Sequence, residues 1–88
     1  MFRDNAEAGR FELDLSEGVV YAAYRERNGV RIITHVETPP AARGRGRAGA
    51  LMDQIVVYAR EHAIRVSPVC SYAVAYFERK PDASDVLA

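Results

Sequence analysis

The chain has 88 residues, enough for one domain that buries only about 60–65% of the surface its unfolded chain exposes. Hydrophobic residues make up 49% of it and charged residues 27%, the balance of a folded globule rather than a disordered chain. Twelve Lys and Arg offset twelve Asp and Glu, and this zero net charge argues against a domain built mainly to grip nucleic acid.

Cysteine occurs once, at Cys70, so no intrachain disulfide framework is available. No apolar run reaches the length of a membrane span, and Met1-Phe2-Arg3-Asp4 does not begin a signal peptide. The expectation is a cytoplasmic protein with no membrane partner.

In chain order, Arg10–Leu15 alternates polar and apolar residues with the period of a half-buried strand. Ser16-Glu17-Gly18 turns the chain, and the β-branched and aromatic run Val19–Glu26 predicts a second strand. Asn28-Gly29 is a hairpin signal, because both residues tolerate positive φ. Val30–Glu37 returns as a third strand, ended by Pro39-Pro40, which cannot donate to a ladder.

The period then changes. Ala48, Leu51, Met52, Ile55, Tyr58, Ala59 and His62 share one face at helical spacing and predict a helix from about Gly46 to Ala63. Ile64–Cys70 reads as another strand, interrupted by Pro68. A second helix follows with Ser71 as its cap, Tyr72, Ala75, Tyr76 and Arg79 on one spacing, and Pro81 as its stop. The expected order is β-β-β-α-β-α, an α+β domain spanning residues 1–88.

Between the third strand and the long helix lies Arg43-Gly44-Arg45-Gly46-Arg47-Ala48. A helix start ordinarily carries Ser, Thr, Asp or Asn as cap and acidic residues in its first turn. This one carries three arginines at the positive end of the helix dipole and glycines that let backbone N–H groups approach a ligand. Free N–H groups, the dipole and flanking cations together make a polyanion site. Gly44, Gly46 and Gly49 match G-x-G-x-x-G, but the preceding strands are antiparallel and no carboxylate follows at the ribose position. A P-loop is excluded by the absence of Gly-Lys-Ser/Thr.

The loop resembles the pyrophosphate loop Gln/Arg-x-x-Gly-x-Gly/Ala of the GNAT superfamily of N-acetyltransferases. His35-Val36-Glu37, Pro68-Val69-Cys70 and Tyr76-Phe77-Glu78-Arg79-Lys80-Pro81 are similar to the short, single-domain, YjdJ-type branch. The resemblance spans about Val19 to Leu87 and implies a minimal GNAT-like fold with acetyl-CoA as co-substrate and no metal. It places the pyrophosphate on residues 43–48 and the pantetheine arm between two splayed strands, one ending at Glu37 and one containing Pro68. Pro68 suits a splay because it has no N–H to offer its neighbour.

Acetyl transfer to an amine needs a base for the acceptor ammonium and an acid for the leaving thiolate. Glu37 and His35, two apart on one strand, share a face and stand where many GNAT proteins hold a catalytic carboxylate. Cys70, at the mouth of the last helix, reads either as a nucleophile carrying the acetyl group or as a small buried hydrophobe. Tyr76 corresponds in placement to the tyrosine acid of the family, with Tyr72 as rival. Arg79 and Lys80 are candidates for the 3′-phosphate, whereas Tyr21, Tyr24 and Tyr58 read as packing residues.

The expected activity is acetyl-CoA-dependent N-acetyl transfer to a small-molecule or peptide amine. The chain lacks the two helices that larger GNAT enzymes place after the first strand, which motivates a second reading as a CoA-binding module without turnover. A third, nucleic-acid binding through the arginine-glycine stretch, has no neighbouring basic face to support it.

Overall fold

The computed structural model describes residues 1–88. Its sheet is laid down by consecutive hairpins. β1 (Phe2–Asn5), β2 (Arg10–Leu15), β3 (Gly18–Arg27) and β4 (Val30–Glu37) pair antiparallel in chain order. Asn28 and Gly29 both take positive φ at the β3–β4 turn, as the sequence predicts. α1 (Arg47–His62) then crosses over so that β5 (Arg65–Pro68) lies parallel to β4. α2 (Ser71–Arg79) and a short 3₁₀ turn, Pro81–Val86, complete the chain.

The expected α+β order is therefore present, with one addition: the meander has four strands, not three. β1 escapes the sequence pattern because only Phe2 of its two inward residues is apolar; the other is Asp4, whose carboxylate accepts from Tyr24 Oη and, at 3.2 Å, from Tyr58 Oη. Arg31 pairs with the same carboxylate at 2.8 Å, so this inward charge is compensated from two other strands and α1.

Phe11, Val20, Ala22 and Ile33 from the sheet pack with Leu51, Met52, Ile55 and Val56 of α1 and Ala73, Tyr76 and Phe77 of α2 in one cluster. Both helices thus cover the same face. The opposite face carries Arg3, Arg10, Glu12, Tyr21, His35 and Glu37, in cross-strand register from β1 to β4. Glu12 is buried there beneath Arg3 and Arg10, with Asn5 donating to it at 3.2 Å.

Two local features shape β4. Ala23 pairs with His35 but Tyr24 with Ile33, which leaves Thr34 as an extra, bulged residue. The bulge resets the alternation, so His35 and Glu37 turn to the open face although Ile33 points into the core. Pairing with β5 stops at Ile33–Pro68, where the Val69 and Cys70 amides both donate to the Ile33 carbonyl at 3.0 and 3.2 Å. From Thr34 to Glu37 the β5 side of β4 has no partner strand.

The far edge of β5 is closed by the tail. Leu87 bridges Val66, and the Ala88 amide donates to the Val66 carbonyl at 2.9 Å. Arg60 clamps both oxygens of Asp85, at 2.9 and 2.8 Å, and Arg65 donates to the Asp85 carbonyl at 2.7 Å. No helix is long and apolar enough to cross a membrane.

Candidate active site

The loop between β4 and α1 begins with a 3₁₀ turn over Pro40–Ala42. Gly44 and Gly46 then take φ of 78° and 71°, with open space where a Cβ would stand. They are glycines because the chain is left-handed there, not because a neighbour crowds them. Gly46 occupies the cap position of α1 without any side-chain cap, and no acidic residue lies in the first turn.

As a result, the N–H groups from Gly44 through Gly49 find no backbone acceptor. They surround the end of α1 where the helix dipole is positive, and three guanidiniums flank them. Arg43 reaches back along the loop, donating through Nη2 to Glu37 at 3.1 Å and through Nε to the Thr38 carbonyl at 3.2 Å. Arg45 and Arg47 both reach Glu17, at 3.3 and 3.4 Å. A cavity of 210 Å³ opens here, lined by Thr38, Ala42, Arg43, Gly44, Gly46, Arg47, Ala48 and Tyr72. A donor-rich, cationic and carboxylate-free lining of this kind fits a pyrophosphate.

His35 and Glu37 are brought together: His35 Nε2 lies 2.9 Å from Glu37 Oε1. The hydrogen bond from His35, followed by that from Arg43, holds the Glu37 carboxyl below its ordinary range, so it is ionised at neutral pH. The His35 ring also meets the edge of Tyr21, at 6.3 Å between centroids.

Cys70 stands where β4 and β5 part. It caps α2 itself, in place of the expected Ser71: its Sγ accepts from the Ala73 amide at 3.4 Å. Cysteine is a rare cap, and this N–H donation fixes the sulfur at the helix N-terminus, where β4 and β5 part.

The two tyrosines of α2 go to different places. Tyr76 is buried, and its hydroxyl donates to Asp53 of α1, beside a separate cavity lined by Val57, Arg60, Lys80 and Asp82. Burial, followed by the Asp53 hydrogen bond, pushes its phenol well above the usual tyrosine range. The geometry does not bring Tyr76 to the loop cavity as a proton donor to CoA, because its spacing on α2 aims it at α1 and the core. Tyr72, one turn earlier, lines the loop cavity, with its hydroxyl over the first turn of α1 near Gly49. Lys80 lies beside Tyr76 and Asp53, 4.0 Å from the latter.

The family profile described as GCN5-related N-acetyltransferase matches residues 10–86, which include every strand, loop and helix just described except β1. The chain belongs to the GCN5-related N-acetyltransferase family. Its activity is acetyl transfer. The solution structure of a GCN5-like protein from Staphylococcus aureus resembles it with a TM-score of 0.69 at 22% identity. That likeness covers 100% of this chain and 87% of the other, and it shows the fold. No curated protein matches the chain.

Sequence reasoning did not single out Glu17 or the Thr34 bulge. Glu17 sits in a turn 28 residues before Arg45, and no local pattern joins them. The bulge has no glycine to mark it.

Proposed function

We propose that the protein is an acetyl-CoA-dependent N-acetyltransferase acting on the amine of a small molecule or peptide. The observation that carries this reading is the run of unbonded amides from Gly44 to Gly49, ringed by Arg43, Arg45 and Arg47 at the start of α1. These donors receive the pyrophosphate, and the pantetheine arm runs from the loop along the open edge of β4 toward Cys70. The distance from Glu37 to the parting point at Ile33 is about 13 Å along the strand, at about 3.3 Å per residue. The pairing of all three loop arginines with Glu17 or Glu37 supports a localised anion site over an open basic face for nucleic acid.

Glu37, with His35 against it, takes a proton from the acceptor ammonium at the loop end of β4, before the amine reaches the acetyl group at Cys70. Cys70, at the parting point, is the nucleophile. Its thiolate attacks the thioester carbonyl, the C–S bond to CoA breaks, and CoA leaves as a thiolate. The free amine then attacks the S-acetyl group, forming the C–N bond and returning the Cys70 thiolate. The amine proton displaced in that step passes to solvent.

The test is intact-mass spectrometry after incubation with acetyl-CoA and no acceptor, followed by an amine panel with free-thiol detection. A gain of one acetyl group that Cys70→Ser abolishes, discharged by an amine, is the expected result. Amine acetylation that persists undiminished in Cys70→Ser overturns the nucleophile role and leaves direct transfer. No acetylation of any amine overturns the proposed acceptor class.

A further inference from the structure

Glu17 sits at the tip of the β2–β3 turn, where a glutamate is ordinarily solvated, yet its side chain is only 16% exposed. It is covered by the loop that follows β4. Arg45 donates to it through Nη1 at 3.3 Å and Arg47 through Nη2 at 3.4 Å. The same turn also touches the other end of that loop. Gly18 has a φ of 133°, and a Cβ built on it would lie 3.1 Å from Cγ of Pro39. The turn therefore grips the loop at its proline start and at its arginine end, and only glycine permits the closer of the two contacts.

One carboxylate shared by two guanidiniums leaves charge and donors in excess. A guanidinium has five N–H donors in a rigid fork, so an arginine held at one Nη keeps the rest for a second acceptor. Arg47 Nε is moreover buried with no hydrogen-bond partner, an arrangement that a protein tolerates where a ligand oxygen completes it. The hydrogen bond from its own backbone N–H, then the charge of Arg47, holds the Glu17 carboxyl below its ordinary range, so the anchor is charged at neutral pH.

We propose that Glu17 is a positioning residue for the CoA pyrophosphate: it holds Arg45 and Arg47 over the first turn of α1, so the phosphates meet an ordered pair of guanidiniums. Its energetic logic is preorganisation. Ordering two long cations at the moment of binding costs affinity, and a carboxylate that orders them beforehand removes that cost. The inference rests on the reading of residues 43–48 as the CoA loop.

The experiment is calorimetric titration of wild type, Glu17→Gln and Glu17→Asp with CoA, 3′-dephospho-CoA and 4′-phosphopantetheine. Two exposed-type ion pairs lost together predict about three- to tenfold weaker CoA binding in Glu17→Gln. The same factor is expected for dephospho-CoA, a smaller one for phosphopantetheine with its single phosphate, and most of the affinity back in Glu17→Asp. CoA binding by Glu17→Gln equal to or tighter than wild type overturns the proposal, as does an equal loss for all three ligands. Failure of the wild type itself to bind CoA is a different outcome, and it removes the loop reading rather than the role of Glu17 alone. Should Glu17→Gln not fold, Glu17→Ala takes its place: a loss greater for the two pyrophosphate ligands than for phosphopantetheine supports the role, and no loss or an equal loss for all three overturns it.

Discussion

Gly44 and Gly49 lie five residues apart at the start of α1, and alanine should act oppositely at the two. At Gly44 the φ of 78° penalises any Cβ although space is open, so Gly44→Ala is expected to cost about 1 kcal/mol. In a domain of this size that lowers the melting temperature by about 4–8 °C. At Gly49 the backbone is helical and an added Cβ meets only Tyr72 Oη at an ordinary 3.7 Å. Gly49→Ala should raise stability by about 0.5 kcal/mol. Thermal melts of the two variants check both signs. Cys70 divides in a similar way. Serine preserves a cap for Ala73 N–H and alanine removes it, so Cys70→Ala should be less stable than Cys70→Ser by about 1 kcal/mol, measured by urea unfolding. At this scale the sequence was legible where a residue breaks a local rule. Arg43, Gly44, Arg45 and Gly46 announced themselves because cations and glycines are wrong for a helix start. Glu17 and Asp4 did not, because a carboxylate's partner cannot be read from its own neighbours.

α1 stops at Ala63, which sits in the left-handed region with φ 54° while its amide and that of Ile64 both donate to the Ala59 carbonyl. This is a position that glycine ordinarily fills. Ala63→Gly is expected to stabilise by about 0.5–1 kcal/mol, a rise of roughly 3–6 °C in melting temperature. No change or a fall in thermal melts contradicts the strain assigned to that residue. The helices were legible because Leu51, Met52, Ile55 and Ala59 keep a 3.6 period over more than two turns. The hairpins were legible from alternation and Asn28-Gly29. β1 was not, since four residues offer one apolar side chain and an inward aspartate. Nor was the bulge, which is set by the register of two strands. Tyr72 and Tyr76 share a helical stripe in sequence, but only tertiary packing decides that one faces the loop and the other Asp53.

Across the whole molecule, phenols are tied to carboxylates on the helix-covered side. Burial, followed by the Asp4 hydrogen bond, raises the Tyr24 phenol, and burial with Asp53 raises that of Tyr76. A raised folded-state value means that the native state holds these protons more tightly than the unfolded chain, whose tyrosines titrate near about 10. Their stabilisation is therefore complete below about pH 10 and is lost as pH rises through the folded-state values. Melting temperature should fall steeply above pH 10, and Tyr76→Phe should flatten that fall, as read from thermal melts across the alkaline range. The carboxyls of Glu12, Asp14, Glu17, Glu37 and Asp85 are shifted the opposite way. Their contribution is present above ordinary carboxylate values and is lost as pH falls through the lowered ones. At this scale the α+β order could be read in advance, because each element carried its own period. The burial of both helices on one face, and the tail's closure of β5 through Asp85, depend on contacts between distant segments.

The central claim is that residues 43–48 and the first turn of α1 receive the pyrophosphate of acetyl-CoA. Isothermal titration of the purified protein with acetyl-CoA and with CoA, beside an Arg43→Ala/Arg45→Ala variant, tests it most directly. Saturable binding in the micromolar range or tighter, lost by at least tenfold in the variant, is the predicted result, since charge-assisted contacts contribute about 1.5–3 kcal/mol each. No binding heat and no thermal stabilisation by either ligand, or equal affinity in the variant, contradicts it.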